Sequence, residues 1–473
     1  MKKIKKIHFV GIKGVGMTPL AIISKEGGFE VTGSDIPQVF ITDDALEESG
    51  IRVFERFSEK NIQDPDLVIA TGAHGGFKNA EVIKARKKGI EVWTQGQAVG
   101  EFMKGEIFER KFLGVSVAGS HGKTTVTAMI ATILNELSAD PSYIIGTGSI
   151  PSLGLPGHFG KGNFFVSEAD EYATDPEFDQ TPKFLWQHPQ LAVFTNIEFD
   201  HPDIYKDQNQ LRNNFLAFAD QLPKDRVLVL SRDDPQNKKL IQEFSGNKVT
   251  YGFSPLNDYV IDKVHVREKE VYFWASFKGT SLGEFSLKVM GEFNALNGLG
   301  AVASCIELGF SSEKIKKAIS SYKGSKRRFE FMGRLESGAL LFDDYAHHPT
   351  EIRKTLKALR QSYPGKRIVC IFQPHTYSRT KTFFSEFVSS FSDADYVVLT
   401  DIYPSSREEP DKTISSDLLS KKISLIHNNV LFFPKLSSVV EYIDKKEFDE
   451  RFIVITMGAG DVYKISERLK TKD

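Results

Sequence analysis

Three consecutive α/β domains are the architecture this sequence predicts, and three observations carry the prediction. The chain has 473 residues, which suits two or three domains at roughly 100–200 residues each. Short apolar runs alternate with helical segments almost from end to end, the pattern of parallel sheets built from β-α-β units. Two glycine-rich turns, at Gly11 and Gly119, each follow an apolar run and precede a helical segment, so the pattern starts afresh at each. With no low-complexity tract and no short repeat, the expected domains are residues 1–109, 110–325 and 326–473.

In the first domain, Ile4 to Val10 reads as a strand and Met17 to Glu26 as a helix. Glu30 to Gly33 and Leu67 to Thr71 read as further strands, before the charged stretch Phe102 to Lys111. The second domain opens with a strand over Phe112 to Ala118 and a helix over Thr124 to Leu137. Strands at Asn163 to Ser167, Leu191 to Thr195 and Arg226 to Leu230 follow, then a β-rich section from Lys248 to Val289. A helix over Ala295 to Leu308 and the basic stretch Gly324 to Arg328 close it. The third domain carries strands at Ala339 to Asp344, Arg367 to Phe372, Tyr396 to Thr400 and Phe452 to Thr456.

Composition narrows the class of function. Hydrophobic residues make up 40% and charged residues 26%, ordinary for a globular protein. Basic residues number 61 against 62 acidic ones, so no bulk nucleic-acid or membrane-surface binding is expected, while a local anion site stays open. The two cysteines, Cys305 and Cys370, sit in apolar runs and read as buried thiols in a reducing compartment, the cytoplasm. Met1-Lys2-Lys3-Ile4-Lys5-Lys6 has the charge of a signal-peptide start, but the apolar run from Ile7 stops at Lys13, too short for export. No run approaches 18 apolar residues, so no transmembrane helix is expected.

The first glycine loop, Gly11-Ile12-Lys13-Gly14-Val15-Gly16-Met17, joins a strand to a helix, and Asp35 ends the next strand. Glycines let backbone approach a phosphate at a helix N-terminus, and the acid suits a ribose. The plainer alternative is a structural turn with a surface aspartate. Its G-x-x-G-x-G spacing departs from the dinucleotide pattern G-x-G-x-x-G, which weakens a nicotinamide reading.

The second loop, Gly119-Ser120-His121-Gly122-Lys123-Thr124-Thr125, again follows a strand and opens a helix. Backbone amides for phosphates, Lys123 for the β/γ-phosphates and Thr124 for Mg²⁺ make an ATP or GTP site, although Val117 replaces the usual first glycine. Acidic groups follow two later strands, in Ser167-Glu168-Ala169-Asp170-Glu171 and Asn196-Ile197-Glu198-Phe199-Asp200-His201. Strand ends of an open α/β sheet face the ligand, so both groups are expected to converge on the phosphates and a magnesium ion. In the third domain, Asp343-Asp344-Tyr345-Ala346-His347-His348-Pro349 and Gln373-Pro374-His375-Thr376-Tyr377-Ser378-Arg379 end strands expected to be neighbours. Their His, Tyr and Arg side chains suit a carboxylate. Zinc is disfavoured at the paired histidines, with no cysteine nearby and no H-x₃-H spacing.

Taken in order, these motifs resemble the Mur ligases, ATP-dependent amide ligases of peptidoglycan synthesis. The resemblance covers the whole chain and also includes Phe293-Asn294-Ala295-Leu296-Asn297 and Arg327-Arg328-Phe329. It is strongest to the branch that adds L-alanine to UDP-N-acetylmuramate. What it implies is a Rossmann-like N-terminal UDP-binding domain, a central P-loop ATPase-type domain and a Rossmann-like C-terminal domain, acting as a monomer or homodimer. Gly119, His121, Gly122, Lys123, Thr124 and Thr125 would bind ATP, joined by Asn297 and Arg328. Thr124, Glu168 and His201 would hold Mg²⁺. Gly14, Gly16, Met17 and Asp35 would line the UDP-sugar site, and Tyr345, His347, His375 and Arg379 the amino-acid end. The resemblance makes Lys123, Glu168, His201 and His347 the catalytic set.

Three departures stand out. Phe293 replaces a histidine common in the family, and Thr376 stands where many alanine-adding members carry a second arginine. The segment from Tyr172 to Asp179 is long and is reminiscent of the sister ligases that attach the tripeptide L-Ala-γ-D-Glu-meso-diaminopimelate. A tripeptide ligase is therefore the nearest alternative; a dehydrogenase and a non-catalytic nucleotide switch are remoter ones.

Overall fold

β1 (Lys6–Val10) begins with one exposed residue and continues with four buried ones, a run that needs cover on both faces and so belongs in the middle of a parallel sheet. The computed structural model, which describes residues 4–267, 269–405 and 408–471, places it there. β2 (Glu30–Ser34), β3 (Arg52–Phe54), β4 (Leu67–Ala70) and β5 (Glu91–Thr94) complete a sheet ordered β3-β2-β1-β4-β5, parallel throughout. The strand order reverses between β1 and β4, which opens a crevice where the first glycine loop leaves β1. The charged start at Met1 to Lys3 lies outside the described residues.

The second sheet has ten strands. β6 (Leu113–Ala118), β7 (Ser142–Ile144), β8 (Gly157–His158) and β9 (Phe164–Ala169) form one side. A two-stranded ribbon, β10 (Ala173–Asp175) with β11 (Asp179–Pro182), stands apart from it. β12 (Leu191–Phe194), β13 (Val227–Ser231) and β14 (Asn247–Gly252) extend the parallel part. The β-rich section resolves into a meander of β15 (Tyr259–Arg267), β16 (Glu270–Phe277) and β17 (Thr280–Leu287), paired antiparallel, as connections only two residues long require. Helices Lys123–Glu136 and Phe293–Glu307 share one core with the sheet, and Cys305 is buried in it.

The third sheet runs β18-β19-β23-β20-β21-β22, from β18 (Glu330–Arg334), β19 (Leu340–Asp344), β20 (Arg367–Phe372), β21 (Tyr396–Leu399), β22 (Val430–Phe432) and β23 (Phe452–Met457). Here an expectation is corrected. The strands ending at Asp344 and Phe372 are not neighbours: β23 lies between them, parallel to both. Its run Ile453–Met457 is buried at every position, which suits the centre of a doubly covered sheet better than an edge. Cys370 is buried and unpaired in β20. Among the described residues, no helix is long and apolar enough to cross a membrane.

The ribbon β10–β11 packs against the first unit. Asp175 Oδ2 accepts the Phe77 amide at 3.2 Å, and Lys78 pairs with Glu177. The long segment after Glu171 is thus committed to a contact between units.

Candidate active site

The phosphate loop is shaped by neighbours that only glycine tolerates. Gly119 has φ +138°, and a Cβ there would lie 1.9 Å from Thr195 Oγ1; Gly122 has φ +83°, and a Cβ would lie 2.7 Å from Asn297 Oδ1. The loop is pinned to the end of β12, where the His121 carbonyl accepts from Thr195 Oγ1 (2.7 Å) and Asn196 Nδ2 (3.0 Å). The His121 amide donates to Asn196 Oδ1 (3.0 Å).

Lys123 opens the following helix and donates to both oxygens of Glu171, at 2.8 and 3.0 Å, and to the Gly119 carbonyl. Burial alone would lower its pKa, but the charges of Glu171 and Asp170 outweigh burial and keep it a cation. Thr124 Oγ1 donates to Glu168 Oε2 at 3.1 Å and accepts from Arg328 Nη2 at 2.9 Å. The Gly146 amide donates to the other Glu168 oxygen at 2.6 Å. A hydroxyl beside a carboxylate, both hard oxygens next to a phosphate loop, fits Mg²⁺.

His201 has φ +58° and packs edge-on against Tyr172, with ring centroids 4.8 Å apart. Its Nε2 lies 3.8 Å from both Glu171 Oε1 and Asp200 Oδ2. Asp200, 3% exposed, is held well below the carboxylate range: burial opposes ionisation, but Arg379 and His201 outweigh it. Arg379, also 3% exposed, donates from Nε to Asp200 Oδ1 at 2.8 Å and from Nη1 to His375 Nδ1 at 2.9 Å. The guanidinium expected to meet a substrate carboxylate is therefore already paired within the protein. Burial first, then Arg379, hold the His375 imidazole neutral, and it stacks on Tyr403 with an interplanar angle of 13°.

A cleft of about 440 Å³ brings these groups to one place. From the first unit come Gly14, Gly16, Met17 and Asp35; from the second, Lys123, Thr124, Glu168 and His201; from the third, Tyr345, His347, His375 and Arg379. Asp35 does line it, but its oxygens already accept the Lys13 and Ile36 amides at 2.8 Å each, so it shapes the first glycine loop as well. Of the segment 172–182, only Tyr172 reaches the cleft.

An adjoining cavity of about 110 Å³ is lined by His121, Gly122, Thr124, Thr125, Asn297 and Arg328, all expected nucleotide residues. Phe293, Tyr251, Tyr322 and Phe329 give it aromatic walls suited to a purine base. At the position of Phe293 an apolar wall takes the place of a histidine.

Sequence reasoning missed Glu351. Its Oε2 accepts the amides of His347 (3.0 Å) and His348 (3.2 Å), a capping box on the helix Pro349–Ser362, while Oε1 meets His121 Nδ1 at 3.0 Å. The signal was legible as an acid three residues after a helix start. The His121 ring, between Glu351 and Glu198, overcomes its burial and is pushed up to about 9.

Asp344 is 7% exposed in the smaller cavity, and burial pushes its pKa from the ordinary 3.8 up to about 6. The folded state therefore binds a proton that the unfolded chain releases. Stability from this group is full below pH 3.8 and is lost as pH rises through about 6. Asp344→Asn should gain stability over the parent between those values and level off above, by at most about 3 kcal/mol. Parallel denaturant titrations of the two chains from pH 4 to 7.5 measure this; a constant difference would remove the shift.

Comparisons with known proteins cover the same ground. Three Mur ligase models match: the Mur ligase family catalytic domain over residues 6–106, the middle domain over 117–305 and the glutamate ligase domain over 327–460. The UDP-N-acetylmuramate–L-alanine ligase of Desulfitobacterium hafniense is 39% identical, over 98% of this chain and 99% of that one. The protein of the same name from Acetivibrio thermocellus is 40% identical, over 98% and 95%. The crystal structure of UDP-N-acetylmuramate–alanine ligase from Thermotoga maritima superposes with a TM-score of 0.81 at 27% identity, covering 98% of each chain. A murein peptide ligase from Psychrobacter arcticus shares the fold, at 23% identity and TM-score 0.72.

Proposed function

The chain belongs to the Mur ligase family, and on that premise we propose that it joins L-alanine to the carboxylate of UDP-N-acetylmuramate, cleaving ATP to ADP and phosphate. The observation that carries the reading is the single cleft to which all three units contribute, with a glycine loop for a UDP-sugar, a phosphate loop and a His/Arg turn at its three sides. The reading places the reaction in the cytoplasm, in keeping with two unpaired, buried cysteines that suit a reducing compartment.

A carboxylate and an amine do not condense at neutral pH without activation. A muramoyl carboxylate oxygen attacks the γ-phosphorus, the bond from that phosphorus to the β-γ bridging oxygen breaks, and an acyl phosphate and ADP result. The alanine nitrogen then attacks the acyl carbon, the carbon–oxygen bond to phosphate breaks, and phosphate leaves. Lys123 and the loop amides neutralise the transferring group, and the cleft holds the reactants in line. Thr124 and Glu168, with His201 nearby, are the residues that would hold Mg²⁺, which supplies charge neutralisation at the phosphates when bound. Asn297 and Arg328 hold the nucleotide. His375, held neutral by burial and then by Arg379, accepts the proton the amine must lose. Tyr345 and His347 complete the amino-acid end. Closure of the three units about the cleft would exclude water from the acyl phosphate.

The tripeptide reading loses its support from the long segment after Glu171, because that segment is spent on the contact with residues 77–78 and does not enlarge the amine end. The test is ADP release with UDP-N-acetylmuramate, offering L-alanine, glycine, L-serine and the tripeptide in turn. A clear preference for the tripeptide, or turnover independent of any amine, would overturn the assignment.

Arg379 reaches the amine through its partners His375 and Asp200. Arg379→Lys keeps the charge but loses the fork, so the KM for L-alanine should rise about tenfold or more with the KM for ATP little changed. Steady-state kinetics with each substrate varied would show it, and an unchanged alanine KM would take Arg379 out of this role.

A further inference from the structure

His121, Glu198 and His348 come together from three turns: the phosphate loop, the loop after β12 and the N-cap of the helix Pro349–Ser362. One ligand atom from each lies within 4.8 Å of the others. His121 Nε2 is 2.9 Å from Glu198 Oε2, His348 Nδ1 is 3.9 Å from Glu198 Oε1, and the two imidazole rings are 5.0 Å apart. His121 is 8% exposed and His348 3%. On its far side His121 Nδ1 meets Glu351 at 3.0 Å, the carboxylate–histidine pairing that orients imidazole ligands at metal centres. His348 Nδ1 accepts the Thr350 amide, while its Nε2 is buried with no hydrogen-bond partner.

We propose that His121, Glu198 and His348 form a site for a borderline-soft transition-metal dication such as Zn²⁺, separate from the Thr124–Glu168 oxygen pair. Two imidazoles and one carboxylate are a donor set of open zinc sites, with a fourth position left for water or a ligand. Mg²⁺ takes oxygen donors and is a poor match for two nitrogens. Ligand atoms around tetrahedral zinc lie about 3.4 Å apart, so side-chain movements of about 1 Å close the site. In the metal-free protein a proton on His121 neutralises its two glutamates; a bound dication takes over that role and the proton leaves. The spacing of His347 and His348 argues against zinc along the chain, but the tertiary fold supplies the other two donors from residues more than 140 positions away. Because His121 and Glu198 belong to the second unit and His348 to the third, the ion would tie the phosphate loop to the C-terminal unit beside the nucleotide cavity.

Co²⁺, titrated into the full chain in excess Mg²⁺ without nucleotide, tests the proposal by its visible absorption. One equivalent should give the intense bands of four-coordinate Co²⁺, and one equivalent of Zn²⁺ should remove them. Glu168→Gln should keep the bands. His348→Asn, which preserves an N-cap acceptor, and Glu198→Gln should each lose them. Absence of the bands in the native chain, their loss in Glu168→Gln, or their survival in both His348→Asn and Glu198→Gln would overturn the site. The native chain and Glu168→Gln decide the matter even if the other variants fold poorly.

Discussion

ADP release should fall by at least a factor on the order of 10²–10³ when Lys123 is replaced by alanine, the scale of losing one group that meets charge developing in a transition state. Its ammonium is fixed between Glu171 and the Gly119 carbonyl, at the start of the helix that follows the phosphate loop. Removing it also strands Glu171, whose side chain is 2% exposed, so some stability will be lost. The double variant Lys123→Ala/Glu171→Gln separates the two effects. It should recover much of the thermal stability and none of the turnover. Turnover restored with stability would mean that Lys123 acts through the fold alone, and the assignment of the phosphate loop would fail.

The largest stability effect should come from Arg327, which no catalytic argument requires. Its Nε donates to Asp343 Oδ2 at 2.9 Å, and its two terminal nitrogens donate to the carbonyls of Gly460 (3.1 Å) and Gly458 (2.6 Å). The side chains of Arg327 and Asp343 are 4% and 1% exposed. Arg327→Met leaves Asp343 as a buried charge with only Thr456 Oγ1 donating to it, at 2.5 Å. A loss of about 3–5 kcal/mol is expected, lowering the melting temperature of the C-terminal unit on the order of 10 °C. Calorimetry would detect it. Replacing both partners, Arg327→Met with Asp343→Leu, should recover most of the loss, because no charge is then left unpaired. Equal losses in the single and double variants would show that the carbonyl contacts, and not the ion pair, dominate.

The basic stretch shows how unequal neighbouring residues can be. Arg327 and Arg328 are indistinguishable as letters, yet Arg327 is sealed against Asp343 and two glycine carbonyls, whereas Arg328 donates to Thr124 and lines both cavities. The same holds for Asp343 and Asp344. In each case a strand or turn sends alternate side chains to opposite sides, and only the packing of the other unit decides which side is the site.

The longer interior strands were legible because their signal is local; short strands such as β3, β7, β8 and β22 and the ribbon β10–β11 were not. Buried parallel strands are continuous apolar runs, and both glycine loops announce themselves by backbone demands that few other residues meet. The motif residues after β6, β9 and β12 were legible for a related reason: in an open α/β sheet, ligand-facing residues follow strand C-termini whatever the order of the strands. That order itself was not legible. The insertion of β23 between β19 and β20 depends on how a C-terminal strand finds its neighbours, and no short-range pattern encodes it.

The sequence by itself determined that this protein is three α/β units with one phosphate loop and paired acidic, histidine and arginine turns at strand ends. Tertiary structure alone decided which of these turns meet. It committed Arg379 to Asp200, set Glu351 beside the phosphate loop and spent the segment after Glu171 on a contact between units. The reason is physical: backbone requirements are fixed by neighbours in the chain, whereas a buried charge must find its partner wherever the fold brings one.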